Sequence, residues 1–271
     1  MSNQIMASEL VLTTINNGVA TVTLNNSAKH NAFDDEMIAL LTGTFTTLAS
    51  NAHIRAMVLT GKGKSFSAGG DLAWMKRMAS YSYDENLADA QSLALMLKTL
   101  NALPFPTIAK VAGAAFGGAV GLISCCDIAI GASNAKFSLS EVKIGLLPAT
   151  ISPYVIAAIG QRAARRYFLT AERFDASTAQ QLGLLSECVE LDQLDNKVEA
   201  IISAIVSNSP AAIKASKQLI FRVADKVIDQ KLIDYTCDQI ATIRASNEGK
   251  EGLQAFLDKR PVNWLKTDGH S

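Results

Sequence analysis

Short β-rich segments alternate with helical segments along the first half of the chain, and helical segments fill most of the second half. Val19–Leu24 and Thr107–Val111 are mostly apolar and rich in β-branched residues, which is typical of buried strands. From Ser152 onward the pattern is almost all helical, with one predicted strand at Cys188–Leu191. Strands mixed with helices, followed by a run of helices, predict an α/β core with a helical C-terminal part that begins near residue 200.

Local signals predict the other elements. A β-hairpin is predicted around Asn16-Asn17-Gly18, and a helix is predicted after a cap at Asp34 or Asp35. Val111–Cys126 is uncharged, but it is glycine-rich and short for a membrane span of about 20 residues, so a buried strand and helix are predicted there. The remaining expectations are helices from Leu72 and over Asp84–Leu103, strands at Ala56–Thr60, Ile128–Gly131 and Phe137–Leu139, and glycine-rich loops at Gly61–Asp71 and Gly113–Gly121.

Composition narrows the class of protein. The chain has 271 residues, 49% of them hydrophobic, with 25 Lys plus Arg and 25 Asp plus Glu. This length allows two domains, or one large α/β domain with an appendage. A net charge of zero argues against nucleic-acid binding through a basic surface and against attachment to an anionic membrane. Met1–Leu10 lacks the regions of a signal peptide, and four cysteines without a C-x-x-C pair predict a reduced, cytoplasmic protein.

Common catalytic motifs are missing from the sequence. The segment Gly61-Lys62-Gly63-Lys64-Ser65 looks like a phosphate-binding loop, but Val58 stands where that pattern requires glycine. There is no G-x-S-x-G nucleophile elbow. The three histidines, His30, His53 and His270, are not at metal-ligand spacing, so structural or solvated roles are expected for them. A metal enzyme and a serine or cysteine hydrolase are therefore poorly supported.

Two glycine-rich loops each join a predicted strand to a predicted helix. They are Phe66–Leu72 and Ala115–Ala119. Small residues leave backbone N–H groups unobstructed, and a helix N-terminus adds a partial positive charge. Two such loops facing each other would form an oxyanion hole. The alternative, which glycine content alone favours, is that both loops are turns where elements pack closely.

A carboxylate follows these loops. Glu141 lies after a β-like run and before the apolar segment Ile144–Pro148. Burial in such surroundings would raise its pKa toward the range that suits acid/base catalysis. The alternative is a surface glutamate that pairs with Lys143.

Taken in order along the chain, the two glycine loops, the segment around Glu141 and three further segments resemble the enoyl-CoA hydratase/isomerase (crotonase) superfamily over nearly the whole chain. Within it, Trp74–Ala79 and Ala164–Phe174 look most like bacterial methylglutaconyl-CoA hydratases of leucine breakdown. The segments that carry the resemblance are Ala28–Phe33, Phe66–Leu72, Ala115–Leu122, Cys126-Asp127, Ser138–Pro148 and Phe256–Pro261.

The resemblance implies a fold, an assembly and a substrate. The fold would be a spiral of ββα units over residues 1–200, which binds acyl-CoA, with a helical trimerisation region over residues 201–271. Homotrimers or dimers of trimers would form, with no nucleic-acid or membrane partner. Coenzyme A would enter as part of the substrate, and neither a separate cofactor nor a metal is expected.

The resemblance also implies roles for particular residues. The N–H groups of Gly70 and Gly118 would hold the thioester carbonyl, and Glu141 would be the acid/base residue. The positions expected to hold CoA are Lys29, Lys64, Ala68, Asp71, Leu72, Phe256 and Lys259, the last two reaching the CoA of their own or a neighbouring subunit. Lysines suit this role because phosphates favour ammonium partners.

One position departs from the pattern of family hydratases. Those enzymes usually carry a first glutamate in G-G-x-x-E, and Gly121 stands at that position here. A single carboxylate can serve a hydratase as acid and base in turn, and it also suits a Δ3–Δ2 isomerase. A non-catalytic acyl-CoA-binding subunit is the third alternative. Another acid, such as Asp89 or Glu36, could replace the missing one.

A carboxylated substrate would need a cation. Lys76 or Arg77 could neutralise a distal carboxylate on the acyl group. The alternative, which the sequence favours, is that both lie on a solvated helix face.

Overall fold

The computed structural model describes the backbone of residues 3–7 and the whole of residues 9–265. Its strands are β1 (Asn3–Ala7), β2 (Val11–Asn16), β3 (Val19–Leu24), β4 (Ala56–Gly61), β5 (Ser65–Ser67), β6 (Thr107–Val111), β7 (Ala114–Phe116), β8 (Ile128–Ala132), β9 (Lys136–Ser138), β10 (Phe174–Asp175) and β11 (Glu187–Val189). Its helices are α1 (Asp35–Ala49), α2 (Leu72–Met78), α3 (Tyr83–Asn101), α4 (Gly118–Cys125), α5 (Ser152–Thr170), α6 (Ala176–Leu182), α7 (Leu194–Val206), α8 (Pro210–Val223), α9 (Gln230–Ala245) and α10 (Asn247–Leu257).

The strands form two sheets. The larger sheet has the order β1-β2-β3-β4-β6-β8-β11, antiparallel from β1 to β3 and parallel from β3 onward. The smaller sheet has the order β10-β9-β7-β5, and β5, β7 and β9 run parallel. Each pair β4/β5, β6/β7 and β8/β9 contributes its first strand to the larger sheet and its second to the smaller one, with helix following. The predicted α/β fold of ββα units with C-terminal helices is therefore confirmed.

Turn and cap chemistry explains where the early elements begin and end. The hairpin of β2 and β3 turns at Asn17 and Gly18, whose φ angles are 48° and 77°. Asparagine and glycine tolerate such positive φ values, as a two-residue hairpin requires. Asp34 caps α1, since its side chain accepts a hydrogen bond from the backbone N–H of Met37.

Two apolar clusters hold the layers together. The main cluster lies among α1, α3, α4, α5 and the sheets, and Phe45, Met96 and Leu122 in it are fully buried. The second lies between the larger sheet and α7, where Ile108 packs with Val198. Because parallel strands are covered on both faces in this way, their sequences are nearly continuous apolar runs rather than alternating ones.

A buried ion pair attaches the C-terminal helices to this core. Lys217 on α8 lies 2.7 Å from the carboxylate of Asp127 and also donates to the carbonyl of Phe105 at 3.1 Å. Asp127 in turn accepts from the backbone N–H and the hydroxyl of Thr107. The division of the chain at residue 200 stays a prediction.

The sequence misplaced several short elements. Gly61–Asp71 and Gly113–Gly121 were expected as loops, yet they contain β5 and β7. Strand β10 was not expected, and the strand predicted at Cys188–Leu191 is β11, one residue earlier at its start. Strands of two or three residues are too short to show a periodic pattern, because tertiary pairing with their neighbours defines them.

The apolar segment Val111–Cys126 folds as predicted, into the end of β6, strand β7 and helix α4. No helix among the described residues is long and apolar enough to cross a membrane. Cys125 is buried and Cys126 is half-buried, and burial raises the pKa of both thiols. These cysteines fill space in the core, as predicted.

Candidate active site

The smaller sheet brings the two glycine loops together. Strands β5 and β7 are parallel neighbours, so the loops that follow them leave the same edge of the sheet. A β-carbon built on Gly69 would lie 2.8 Å from the carbonyl oxygen of Phe116 and 3.9 Å from the α-carbon of Gly117. Gly69 and Gly117 have φ values of 88° and 54°, which non-glycine residues rarely adopt. Both glycines are therefore required by close approach and by backbone conformation.

Each loop leaves one backbone N–H group without an acceptor. The backbone N–H of Phe33 donates to the Gly69 carbonyl, and the Phe33 carbonyl accepts from the N–H of Asp71. These two bonds leave the N–H of the intervening Gly70 unused. Gly118 is the first residue of α4, where N–H groups have no intrahelical acceptor. Neither amide has a hydrogen-bond acceptor among the described residues. Both glycines line one cavity, so two unused donors are available to a bound carbonyl.

This cavity has a volume of about 580 Å³. Apolar side chains cover most of its wall, with a few polar groups among them, which is the usual character of a site for an organic ligand. The lining residues come from Phe33, both glycine loops, α2, α3 and the segment Ser140–Ile151. They include Ala68, Gly70, Leu72, Trp74, Asn86, Asp89, Gly118, Glu141, Lys143 and Ile151.

Glu141 is the buried carboxyl of this cavity. It begins a 3₁₀ turn, Glu141–Ile144, that follows β9. Its Oε1 lies 3.3 Å from the position that a β-carbon on Gly117 would take, and its Oε2 is buried with no hydrogen-bond partner. Burial raises the pKa of the Glu141 carboxyl. An unpartnered buried oxygen beside two free amides is costly unless a ligand uses it.

The alternative of a surface Glu141 paired with Lys143 is wrong. Glu141 is half-buried with its Oε2 fully buried, and it has no ion pair among the described residues. Lys143 is exposed and lines the same cavity without an ion pair in the described part of the chain.

Gly121 has no room for a side chain. A β-carbon there would lie 2.3 Å from Cγ2 and 2.8 Å from Cβ of Ile151, far inside the carbon–carbon contact distance of about 3.5–4.0 Å. Ile151 is buried and lines the cavity. Ile151 therefore fills the space into which a glutamate at position 121 would extend.

Some of the residues predicted to bind CoA lie at the cavity. Ala68 and Leu72 line it, and the Leu72 side chain is highly exposed. Asp71 caps α2 by accepting from the N–H groups of Ala73 and Trp74, and it lies 2.9 Å from the ammonium of Lys29. Lys29 lowers the pKa of Asp71, and Asp71 raises that of Lys29. This pair sits next to the cavity without lining it.

The other predicted CoA residues do not line the cavity of their own chain. Lys64, Phe256 and Lys259 are all exposed and lie outside its wall. A contact from Phe256 or Lys259 to the CoA of a neighbouring subunit stays a prediction.

Lys76 and Arg77 also lie outside the cavity wall, and Arg77 forms an ion pair with Asp35. The hypothesis that one of them neutralises a distal carboxylate is therefore not supported, and the solvated-face alternative agrees with their exposure. Of the histidines, His30 and His53 are exposed, and His270 lies outside the described residues.

The sequence did not indicate which side chains form the apolar and aromatic part of the wall. The edge of the Trp74 ring lies 3.4 Å from the β-carbon position of Gly70, and its indole N–H donates to Asp89 at 3.0 Å. The Phe33 ring lies 2.5 Å from the position that a β-carbon on Gly118 would take. Of the two acids that could replace the missing glutamate, Asp89 lines the cavity, whereas Glu36 is exposed on α1 and does not line it. A wall built from five separate segments leaves no single sequence signal.

Comparison with known proteins identifies the family. The enoyl-CoA hydratase/isomerase family profile matches residues 14–267. A short-chain-enoyl-CoA hydratase from Clostridium acetobutylicum is 31% identical over 254 residues, which cover 92% of this chain and 94% of the relative.

Solved structures agree with this assignment. An enoyl-CoA hydratase from Shewanella pealeana is 49% identical with a TM-score of 0.91, covering 94% of this chain and 96% of its own. A putative enoyl-CoA hydratase/isomerase (crotonase) from Legionella pneumophila is 45% identical with a TM-score of 0.91, covering 95% of this chain and 100% of its own. The chain belongs to the enoyl-CoA hydratase/isomerase family.

Proposed function

We propose that this protein is an enoyl-CoA hydratase that adds water to a branched or carboxylated 2-enoyl-CoA of the 3-methylglutaconyl-CoA type. The observation that carries the proposal is the buried, unpartnered Oε2 of Glu141 beside the free N–H groups of Gly70 and Gly118. Relatives described as enoyl-CoA hydratases support hydration as the reaction.

In this proposal the two glycine amides form an oxyanion hole. They donate hydrogen bonds to the thioester carbonyl, whose oxygen gains negative charge when water attacks the β-carbon. Loss of one such donor costs about 10²–10³-fold in rate. Glu141 gives a proton to the α-carbon, and burial raises the pKa of its carboxyl, which favours the protonated form.

The acyl group would occupy the apolar cavity, and CoA would extend past Ala68 and Leu72 toward Lys29 and Asp71. Lys143 would be the cation for a distal carboxylate, because it lines the cavity without an ion pair among the described residues. No separate cofactor takes part in this chemistry.

We also propose that the protein is cytoplasmic and assembles with copies of itself. A cytoplasmic protein is supported by the unpaired cysteines. A homotrimer or dimer of trimers is supported by apolar side chains exposed on the C-terminal helices, such as Ile220, Phe221 and Phe256.

A Δ3–Δ2-enoyl-CoA isomerase is the second candidate. The absence of a glutamate at Gly121 favours it, since moving a proton between carbons needs only one carboxyl. It predicts equilibration of 3-enoyl-CoA with 2-enoyl-CoA and no hydration. A non-catalytic acyl-CoA-binding subunit would turn over neither ester.

The test is the loss of enoyl-thioester ultraviolet absorbance after adding enzyme to 3-methylglutaconyl-CoA, with crotonyl-CoA in parallel. Rapid loss with the branched diacid ester and little loss with crotonyl-CoA is expected. Loss with neither ester, although CoA-ester binding is measurable by calorimetry, would contradict hydration and favour the isomerase or the binding subunit.

A further inference from the structure

The cavity contains a second carboxyl group besides that of Glu141. Asp89 on α3 is half-buried and lines the cavity together with Glu141. In the described part of the chain these are the two acids of the wall. The position where family hydratases carry their first glutamate is Gly121, and Ile151 fills the space around it.

The structure fixes one oxygen of Asp89 and leaves the other available. The indole N–H of Trp74 donates to Oδ1 of Asp89 at 3.0 Å, and Asp89 has no ion pair among the described residues. Trp74 is itself buried, so it holds the carboxyl in one orientation. A side chain held in this way can accept a hydrogen bond from a ligand without first losing conformational freedom.

Trp74 also connects Asp89 to the oxyanion site. The benzene edge of the indole packs against Gly70, and the N–H that binds Asp89 is on the opposite edge of the same ring. Asp89 therefore lies one indole width from the glycine that would hold the thioester. The neighbouring Asn86 uses its amide hydrogens on the carbonyls of Tyr81 and Ser82, so this part of the wall presents oxygen acceptors.

We infer that Asp89 is the second acid/base residue of the reaction and binds the attacking water. The water oxygen forms its bond to the β-carbon while one O–H bond breaks and that proton passes to Asp89. The π electrons move to the thioester oxygen, giving an enolate held by the two glycine amides. The enolate takes a proton from Glu141 at the α-carbon. The proton on Asp89 then passes through solvent to the Glu141 carboxylate, which restores both acids.

This role rests on the proposed hydratase function, and it assigns different steps to the two acids. Hydration needs both, whereas exchange of an α-proton of a saturated acyl-CoA with solvent needs only Glu141 and the amides. Burial raises the pKa of Asp89, which makes its carboxylate a better base than a solvated aspartate. A distal carboxylate of the substrate would then lie toward Lys143.

The experiment compares D89N with E36Q and E141Q in the full chain. Hydration is followed by ultraviolet absorbance, and α-proton exchange of butyryl-CoA in D₂O is followed by NMR. The D89N side chain has the same shape and keeps an oxygen for Trp74. D89N should lose about 10²-fold in hydration kcat, in the range for one general base, with exchange within about threefold of wild type. E141Q should lose both activities, and E36Q neither.

Three results would overturn the inference. If D89N hydrates as fast as wild type, Asp89 does not handle the water. If D89N loses hydration and exchange together, Asp89 acts only by shaping the cavity. If the wild type shows exchange but no hydration, the hydratase proposal itself fails, which is a separate outcome. Should D89N not fold, W74F keeps a ring beside Gly70 and removes the donor; it should lose hydration selectively.

Discussion

A methyl group added at Gly121 tests whether Ile151 closes the cavity at this position. The new β-carbon would meet Cγ2 of Ile151 at 2.3 Å and its Cβ at 2.8 Å. Rotation about χ1 moves Cγ2 but not Cβ, so the backbone at the start of α5 must also shift. Overpacking of this kind costs about 1–3 kcal/mol. Replacing glycine by alanine within a helix returns about 0.5–1 kcal/mol, so the middle of the two ranges leaves a net loss of about 1 kcal/mol.

The assay is a thermal and urea unfolding series with G121A, I151A, I151V and the two double variants. G121A should lower Tm by roughly 2–4 °C, at about 2–4 °C per kcal/mol for a chain of this size. I151A removes Cγ2 but keeps Cβ, so the loss caused by G121A should shrink in that background, with a coupling energy of about 1 kcal/mol or more. I151V keeps both atoms that meet the methyl group, so it should not relieve the loss.

The reasoning would be refuted if G121A were as stable as wild type, or if its effect were the same with and without I151A. Either result would mean that the space beside Gly121 is open. In that case G121E should raise hydration by restoring a second glutamate. The packing predicts the reverse, that G121E destabilises the protein and does not raise hydration.

Three further predictions follow from single contacts. Burial raises the pKa of Glu141 in the folded protein, so the contribution of this carboxyl to the free energy of unfolding is present in acid and lost as pH rises through the folded pKa. E141Q should therefore have a higher urea midpoint than wild type at pH 8, and the difference should vanish toward pH 4. At Gly118 a β-carbon would lie 2.5 Å from the Phe33 ring, so G118A should displace the ring and lower kcat/KM by roughly 10–10²-fold, with G70A, whose β-carbon meets only ordinary contacts, as the control. Removing Lys217 leaves Asp127 unpaired but partly solvated, so K217M should cost about 3 kcal/mol in urea unfolding, the lower end for a buried pair, and a loss under about 0.5 kcal/mol would show the pair to be dispensable.

The sequence predicted the longer elements well because they carry strong local signals. The hairpin, α1, α3 and the buried strands have either turn chemistry, a capped start or a long apolar run. Strands β5, β7 and β10 carry none of these, since each is defined by pairing within the smaller sheet. Their absence from the prediction matters, because β5 and β7 are what align the two glycine loops.

The candidate site likewise combines features that the sequence pointed to with contacts that it could not predict. Glycine content alone favoured plain turns, and the context of Glu141 left a buried acid and a surface ion pair open, so the roles of the two amides and of Glu141 came from the family resemblance. The contact between Gly121 and Ile151 joins residues that are 30 positions apart, and that between Trp74 and Asp89 joins two helices. Neither has a sequence pattern, so spacing along the chain could not predict either contact.

Turnover and binding measured side by side on E141Q test the central claim most directly. The claim is that Glu141 supplies the proton in a cavity that other groups shape. We expect hydration kcat to fall by about 10²–10⁴-fold, the range for one general acid, while the dissociation constant for the CoA ester stays within about threefold of wild type. An unchanged kcat would contradict the account, because it would remove Glu141 from the mechanism.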